Sequence, residues 1–157
     1  MSFSTHKLHI HRLLLGLMLI GACLNFSFAQ KTTRVFAKKP GWKDEFNYQG
    51  KPDTNKWNYD LGCNWYNDEV QCYTNRPENV RVENGHLTIE ARHEKMEHRE
   101  YTSTRLLTKG KGDFVYGRFE ARAKLPSGIG TWPAIWLLFS DTPYGNKGWP
   151  ENGEIDI

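Results

Sequence analysis

The sequence has little cysteine, and this limits the kinds of site that it can form. Its three cysteines are Cys23, Cys63 and Cys72. No further Cys or His completes a metal site with Cys63 and Cys72, which argues against a structural zinc. These two can form a disulfide if the chain is exported, or remain unpaired thiols in a packed strand pair. A bond needs Cα atoms within about 7 Å, so the sequence leaves both interpretations open.

The sequence also lacks a strong charge of either sign. It contains 21 Lys and Arg against 18 Asp and Glu. The first 29 residues hold two of these, Lys7 and Arg12, which leaves 19 basic against 18 acidic residues in the rest. No basic patch indicates a nucleic acid partner, so we expect none. A nearly balanced surface suits a neutral substrate.

One long apolar run is present, at Leu13–Leu24. Basic residues precede it and the small-residue segment Ser27–Ala29 follows, so residues 1–29 are predicted to be a secretory signal peptide. A leader over residues 30–40 comes next. The run is shorter than the ~20 residues of a membrane span, and we expect no transmembrane segment once the signal is removed.

A second interpretation of the same segment is a lipoprotein signal. Ile20–Cys23 resembles a bacterial lipobox, in which Cys23 would carry the lipid and anchor the protein. Apolar residues continue past Cys23, whereas the tether of a lipoprotein is usually polar from its start. We therefore expect cleavage after Ala29 and secretion to the exterior or the periplasm.

The rest of the chain has no amphipathic helical period, no repeat and no phosphate-binding glycine motif, but aromatic residues make up 13% of the sequence. Gly41–Phe46 is predicted to be a first strand. Asn79–Glu94 alternates on both sides of Asn84-Gly85, which predicts a hairpin with a type I′ turn. His93–Tyr101 is charged and lacks an apolar period, so it is interpreted as an exposed strand end or loop.

The C-terminal third contains two further candidate strands. Tyr116–Pro126 alternates apolar with charged residues and predicts a half-buried antiparallel strand. Gly130–Phe139 is apolar on both faces and predicts a central strand of two stacked sheets. Residues 140–153 are predicted to be a long Pro/Gly loop. The sequence therefore predicts an all-β fold, an antiparallel β-sandwich.

The last residues place two carboxylates close together. Residues i and i+2 of a strand point to one side, about 6.6–6.8 Å apart, so Glu154 and Asp156 should project together while Ile155 and Ile157 face the core. Two negatively charged carboxylates at this distance repel each other. Such a pair is tolerated where it performs acid–base or nucleophilic chemistry. The alternative is an edge strand with two solvated acids.

Aromatic residues next to this segment indicate sugar binding. Trp132 and Trp136 are four residues apart and are predicted to share a strand face, where their rings would stack on the C–H faces of sugars. The alternative is two core tryptophans. The Tyr66–Gln71 segment adds polar side chains beside aromatics, as hydroxyl-binding sites require, although an ordinary turn has the same composition.

Four motifs together resemble the laminarinase-like bacterial members of glycoside hydrolase family 16. They are NDEVQCYT (67–74), YGRFEARAKLP (116–126), GTWPAIW (130–136) and WPENGEIDI (149–157). The resemblance implies a concanavalin A-like jelly-roll β-sandwich with a substrate cleft on its concave sheet. It identifies residues 41–157 as the N-terminal part of the catalytic domain, about its first half.

The same resemblance implies retaining endo-hydrolysis of β-1,3-glucan, a laminarin-like polysaccharide, by two carboxylates. In the family signature E-x-D-x-x-E, Glu154 matches the nucleophile and Asp156 the middle residue that tunes the other two. The acid/base Glu is expected two positions beyond Ile157, so the chain by itself is expected to be inactive. The alternative is a non-catalytic glucan-binding protein of the same fold, which would lack a catalytic Glu.

The resemblance also implies roles for residues outside the signature. Trp132 and Trp136 would line the subsite around the cleaved bond, and Asn67 and Arg105 match positions near sugar hydroxyls. For Arg105 an ion pair is an equally good interpretation.

Two departures and one metal complete these expectations. Cys72 replaces a family aromatic, which would allow a Cys63–Cys72 disulfide, and Asp68 replaces Asn. The chemistry needs no cofactor. Many relatives bind a structural calcium, for which Glu45 is a candidate ligand, with a plain strand-end acid as the alternative. We expect a monomer.

Overall fold

The computed structural model describes residues 35–142 and 144–157. The predicted signal peptide and the lipobox lie outside these residues. The described chain is all-β, as predicted, and contains no helix that is long and apolar enough to span a membrane. Its nine strands are β1 (Asn58–Asp60), β2 (Gln71–Tyr73), β3 (Val80–Glu83), β4 (His86–Ile89), β5 (Arg92–Met96), β6 (Arg99–Ser103), β7 (Arg105–Leu107), β8 (Trp136–Leu138) and β9 (Glu154–Asp156).

The strands form four small sheets. β3 pairs with β4, β1 with β7, and β8 with β9, all antiparallel. The fourth sheet has three strands in the order β2-β6-β5, in which β6 is parallel to β2 and antiparallel to β5. β1 and β7 are far apart in sequence. The register of their pairing brings Asp60 opposite Arg105.

The β3–β4 hairpin agrees with the prediction. Asn84 and Gly85 have φ angles of 52° and 76°, the two left-handed residues that a type I′ turn requires. The inward-facing Val80 and Val82 are 0% and 1% exposed. The period-2 alternation therefore identified both the strand and its buried face.

The prediction for residues 93–101 was incomplete, because the segment forms most of a second hairpin. β5 and β6 pair through Arg92↔Thr102 and His93↔Tyr101, and the register shifts before Met96↔Arg99. The turn between them contains Glu97 at φ 53°. Most side chains of β5 are exposed, so backbone pairing and not an apolar face defines this hairpin.

Two predicted strands are absent from the described chain, and a third is shorter than expected. Residues 116–126 are exposed and pair with no described strand. The prediction failed because alternation shows which side chains share a face but does not show that a neighbouring strand is present. Within residues 130–139 only Trp136–Leu138 is a strand. Pro133 has no N–H for a ladder hydrogen bond, which explains why the strand begins after it.

The other absent strand is the one predicted at residues 41–46. These residues alternate between exposed and half-buried but form no strand. The reason is local: the Asp44 carboxylate accepts the Phe46 N–H at 3.2 Å, and Phe46 has a φ of 54°. Asp44 also accepts from the Tyr48 hydroxyl and from Trp57 Nε1, both at 2.9 Å. The segment therefore folds around one carboxylate, whose side chain is only 2% exposed.

Asp44 gives the fold an acid-sensitive contribution. Burial raises its pKa, but the Trp57, Phe46, Tyr48 and Lys56 contacts outweigh burial and hold the pKa below the ordinary 3.8. The unfolded state therefore binds a proton first as the pH falls. This contribution to stability is complete above that ordinary value and is lost as the pH falls through the folded-state pKa.

We expect Asp44→Asn to lower the free energy of unfolding at pH 7 by about 2 kcal/mol, the usual scale for hydrogen bonds to a charged group. The difference from the wild type should shrink as the pH falls below 3.8. Urea unfolding at pH 7, 5 and 3.5 measures it. The control is Glu78→Gln, which removes the charge of an exposed carboxylate. A constant Asp44→Asn difference across these pH values would contradict the role of its charge.

Candidate active site

The β8–β9 pair carries the predicted carboxylates. Its register places Trp136 opposite Asp156 and Leu138 opposite Glu154. Directly opposed residues of an antiparallel pair share a face, with Cβ atoms about 4.5–5.5 Å apart. Glu154, Asp156 and Trp136 therefore project from one face of the strand pair.

The opposite face of β9 differs from the prediction. Ile155 and Ile157 were expected in the core, but each is 62% exposed. Alternation places Ile155 on the other face correctly, and no described layer covers that face. Hydrophobic patterning thus predicted the direction of these side chains but not their burial.

The loop before β9 is held by a nearly buried amide. Asn152 is 8% exposed, and its side-chain oxygen accepts the Tyr144 N–H at 3.1 Å. Its amide nitrogen donates to the Gly145 carbonyl at 3.4 Å and to that of Lys147. Gly153 follows at φ 82°, a left-handed conformation that glycine adopts without strain. Together they fix the backbone at which Glu154 enters the strand.

Trp132 lies before β8 and outside any strand, so the prediction that it shares a strand face with Trp136 was wrong. It is 73% exposed. It nevertheless lines one recess with Pro133 and Ile135 on the same segment, with Asp156 on β9 and with Ile157, which follows β9. An exposed indole and a carboxylate at one recess form a suitable surface for a polyhydroxylated ring.

Arg105 lies against Trp136, although the two are distant in sequence. Its guanidinium carbon is 4.8 Å from the Trp136 ring centroid and 5.0 Å from that of Trp65. Its Nε is 3.1 Å from Asp60 Oδ2. The ion pair that the sequence left open for Arg105 is therefore present.

A disulfide closes the segment that carries Trp65 and Asn67. Cys63 and Cys72 are bonded, with Cα atoms 4.0 Å apart, and both side chains are buried. Asn67 is exposed at φ 58°, and its side chain makes no hydrogen bond within the described ranges.

Hydrogen bonds to Glu69 fix two side chains at the base of this segment. The Tyr73 hydroxyl donates to Glu69 Oε2 at 2.6 Å, and Gln71 Nε2 donates to the same oxygen at 2.7 Å. Burial and the Glu69 carboxylate raise the pKa of Tyr73 to about 12, so it stays a neutral donor. The Tyr73 ring meets Trp65 edge-on, with centroids 5.4 Å apart.

Glu45, the candidate calcium ligand, lies in an exposed position beside a lysine. Its carboxylate is 62% exposed and lies 3.8 Å from Lys43 Nζ. Calcium takes six to eight oxygen ligands. Within residues 35–142 and 144–157, no group of three or more acidic, His or Cys side chains could hold a metal. These residues do not form the site by themselves, and the calcium stays a prediction.

Sequence reasoning missed several members of the site. Asp60, Trp65 and Tyr73 reach it through the β1–β7 pairing and the disulfide-closed segment. The one available signal was the position of Trp65, two residues before Asn67 in an aromatic-polar stretch. The long-range contacts had no sequence signal.

Two carboxylates therefore lie beside the exposed Trp132 and the half-buried Trp136 on an all-β scaffold, and paired carboxylates are typical of glycoside hydrolases. The chain belongs to the glycosyl hydrolases family 16, whose sequence profile matches residues 66–157. The prediction of this family is confirmed.

Relatives share the matched region at high identity. The beta-glucanase of Rhodothermus marinus is 61% identical over 118 residues, covering 74% of this chain and 41% of that protein. A glucan endo-1,3-beta-glucosidase of Cryptopygus antarcticus is 46% identical over 123 residues, covering 74% and 43%. The laminarinase structure from Rhodothermus marinus aligns with a TM-score of 0.71 at 60% identity, covering 73% of this chain and 47% of that one. The chain thus spans less than half the length of these relatives.

Proposed function

We propose that the chain supplies the nucleophile and part of the substrate cleft of a retaining endo-β-1,3-glucanase acting on laminarin-like polysaccharide. The observation that carries the proposal is the β8–β9 register, which sets Glu154, Asp156 and Trp136 on one face. The names of the relatives support the substrate class, since they include an endo-1,3-beta-glucosidase and a laminarinase.

The geometry suits a double displacement. The Glu154 carboxylate attacks the anomeric carbon, the bond to the leaving oxygen breaks, and a carboxylic acid protonates that oxygen. Water, deprotonated by the same group, then displaces Glu154 and restores the original anomeric configuration. The acid/base carboxyl would stand about 5–5.5 Å from Glu154, and we assign it to the Glu expected two positions after Ile157.

The remaining side chains serve binding and placement. Trp132 and Trp136 offer aromatic faces to the C–H faces of glucose rings on either side of the cleaved bond. Asp156, between them and beside Glu154, is placed to hydrogen-bond a substrate hydroxyl or the nucleophile. Asn67 lies in an exposed turn and would contact a more distant sugar hydroxyl.

The test is an assay of the full-length protein that carries this chain, with laminarin, mixed-linkage β-glucan, carboxymethylcellulose and agarose as substrates. We expect reducing ends from laminarin, weaker release from mixed-linkage glucan, and oligosaccharides of several lengths early in the reaction. Proton NMR of fresh products should show the β-anomer first. Binding of laminarin without hydrolysis would support the glucan-binding alternative.

We also propose that the protein is secreted as a monomer through the signal at residues 1–29. We expect N-terminal sequencing of the exported protein to begin at Gln30. A blocked N-terminus at Cys23 with a lipid-sized mass increase would instead show a lipoprotein. Gel filtration at an elution volume of one chain would support the monomer, and a doubled mass would contradict it.

A further inference from the structure

The Arg105 guanidinium lies against two indole rings, and these contacts restrict its position. Its carbon is 5.0 Å from the Trp65 centroid and 4.8 Å from the Trp136 centroid, both within the ~6 Å range of a cation–π contact. Trp65 belongs to the disulfide-closed segment and Trp136 to the strand opposite Asp156. One side chain therefore connects a cross-linked segment to the carboxylate face.

The third side of the guanidinium is also fixed. Asp60 and Arg105 are register partners in β1 and β7, and Asp60 Oδ2 is 3.1 Å from Arg105 Nε. The two side chains are 32% and 24% exposed, so the pair is partly desolvated. A planar group that makes an ion pair and contacts two aromatic rings has little freedom to turn.

Trp65 is itself firmly held, so it can act as a support. Its Nε1 donates to the Gly62 carbonyl at 2.9 Å, and its ring meets Tyr73 edge-on. The bond between Cys63 and Cys72 closes the segment around it. The guanidinium of Arg105 thus packs against the fixed Trp65 ring, and the Trp136 ring packs against that guanidinium.

We propose that Arg105 is a positioning residue that sets the orientation of the Trp136 ring beside Asp156, and that it acts through Trp65 and Asp60 more than through contact with sugar. The proposal rests on the proposed glucanase function, because Trp136 would be the ring that stacks on glucose. It differs from the role that the resemblance implied, in which Arg105 would donate directly to sugar hydroxyls.

The first measurement does not depend on catalysis. The full-length protein is labelled with 5-fluorotryptophan, and the Trp136 fluorine resonance is assigned with Trp136→Phe. Trp65→Leu, Arg105→Met and Arg105→Lys should each shift and broaden that resonance. Arg105→Lys keeps the charge beside Asp60 but lacks the planar faces, so it separates loss of stacking from loss of the ion pair. An unchanged Trp136 resonance in all three folded variants would overturn the proposal.

The second measurement is a double-mutant cycle on laminarin oligosaccharides. Arg105→Met and Trp65→Leu should each lower kcat/KM by about 2- to 30-fold, the range of a cation–π contact. The double variant should lose no more than the larger single loss, because both changes release the same ring. Losses that multiply in the double variant would show that Arg105 binds sugar independently of Trp65, which overturns the positioning role.

The controls separate this proposal from the glucanase assignment. Arg118→Met, which removes an exposed guanidinium that pairs with Glu120, should leave the resonance and kcat/KM unchanged. Urea unfolding of each variant confirms that it is folded. If the wild type does not cleave glucan but the Trp136 resonance still responds to Arg105 and Trp65, the proposed function fails while the packing proposal stands.

Discussion

Replacing Glu154 by Gln in the full-length protein is expected to reduce the release of reducing ends from laminarin at least about a thousandfold. The amide has nearly the shape of the carboxylate but cannot attack the anomeric carbon, so the glycosyl-enzyme does not form. The Glu154 side chain is exposed and makes no hydrogen bond within the part of the chain that the structure describes, so the substitution should leave the fold intact. Reducing-end assays and urea unfolding, made side by side, test both statements.

Glu151→Gln is the matched control, because Glu151 is an exposed carboxylate in the loop that leads into β9. It should retain wild-type activity. The Glu154→Gln variant should still bind laminarin, with Kd changed by only a few-fold, since the Trp132 and Trp136 surfaces remain. Activity within tenfold of the wild type would contradict the nucleophile assignment.

A smaller substitution tests the chemical role directly. Glu154→Gly leaves space on the face from which the carboxylate attacks. Azide, a small anion, should then attack a glucoside that carries a good leaving group and form a glycosyl azide of the opposite, α, configuration. A β-glycosyl azide, or no rescue in a variant that binds substrate, would mean that Glu154 does not occupy the nucleophile position.

Removing the disulfide by Cys63→Ala together with Cys72→Ala is expected to lower the free energy of unfolding of the full-length protein by about 3 kcal/mol. The bond joins residues nine positions apart, and closing a loop of that size restricts the unfolded chain by about this amount. The substitutions also remove packing contacts of two buried side chains. Urea unfolding measures the change as a lower midpoint at an unchanged slope.

The reducing agent dithiothreitol provides the matched comparison. It should destabilise the wild type by most of the loss seen in the double alanine variant, because the reduced cysteines keep their packing, and it should leave that variant unaffected. Because the segment between the cysteines carries Trp65, the variant should also lose activity by a factor similar to that of Trp65→Leu. A wild type that is unaffected by dithiothreitol would show that the bond is absent or contributes nothing.

Features that depend on neighbouring residues were predictable from the sequence. The Asn84-Gly85 turn requires two left-handed residues in succession, and those two residue types are the ones that adopt them. Glu154 and Asp156 share a face because a strand repeats every two residues. Both conclusions follow from the backbone alone and need no knowledge of what lies alongside.

Features that depend on distant partners were not predictable. Alternation in residues 116–126 predicted a strand, but a strand also needs a neighbour, and no described strand pairs with it. The residues around Asp44 alternate in exposure as a strand would, but their backbone is not a strand, because the Phe46 N–H donates to the Asp44 carboxylate. The contact between Arg105 and Trp136 arises from the β1–β7 pairing, which no local pattern encodes.

The disulfide-closed segment offers a practical route to redesign. Its ends are tied by a covalent bond and separated by 4.0 Å between Cα atoms, so residues 66–70 can be exchanged among relatives as a cassette with matched endpoints. Retaining Trp65 and Glu69 would keep the aromatic support and the Tyr73 acceptor. If the proposed glucanase function holds, substitutions at Tyr66, Asn67 and Asp68 should change sugar preference without altering the strand that carries Glu154.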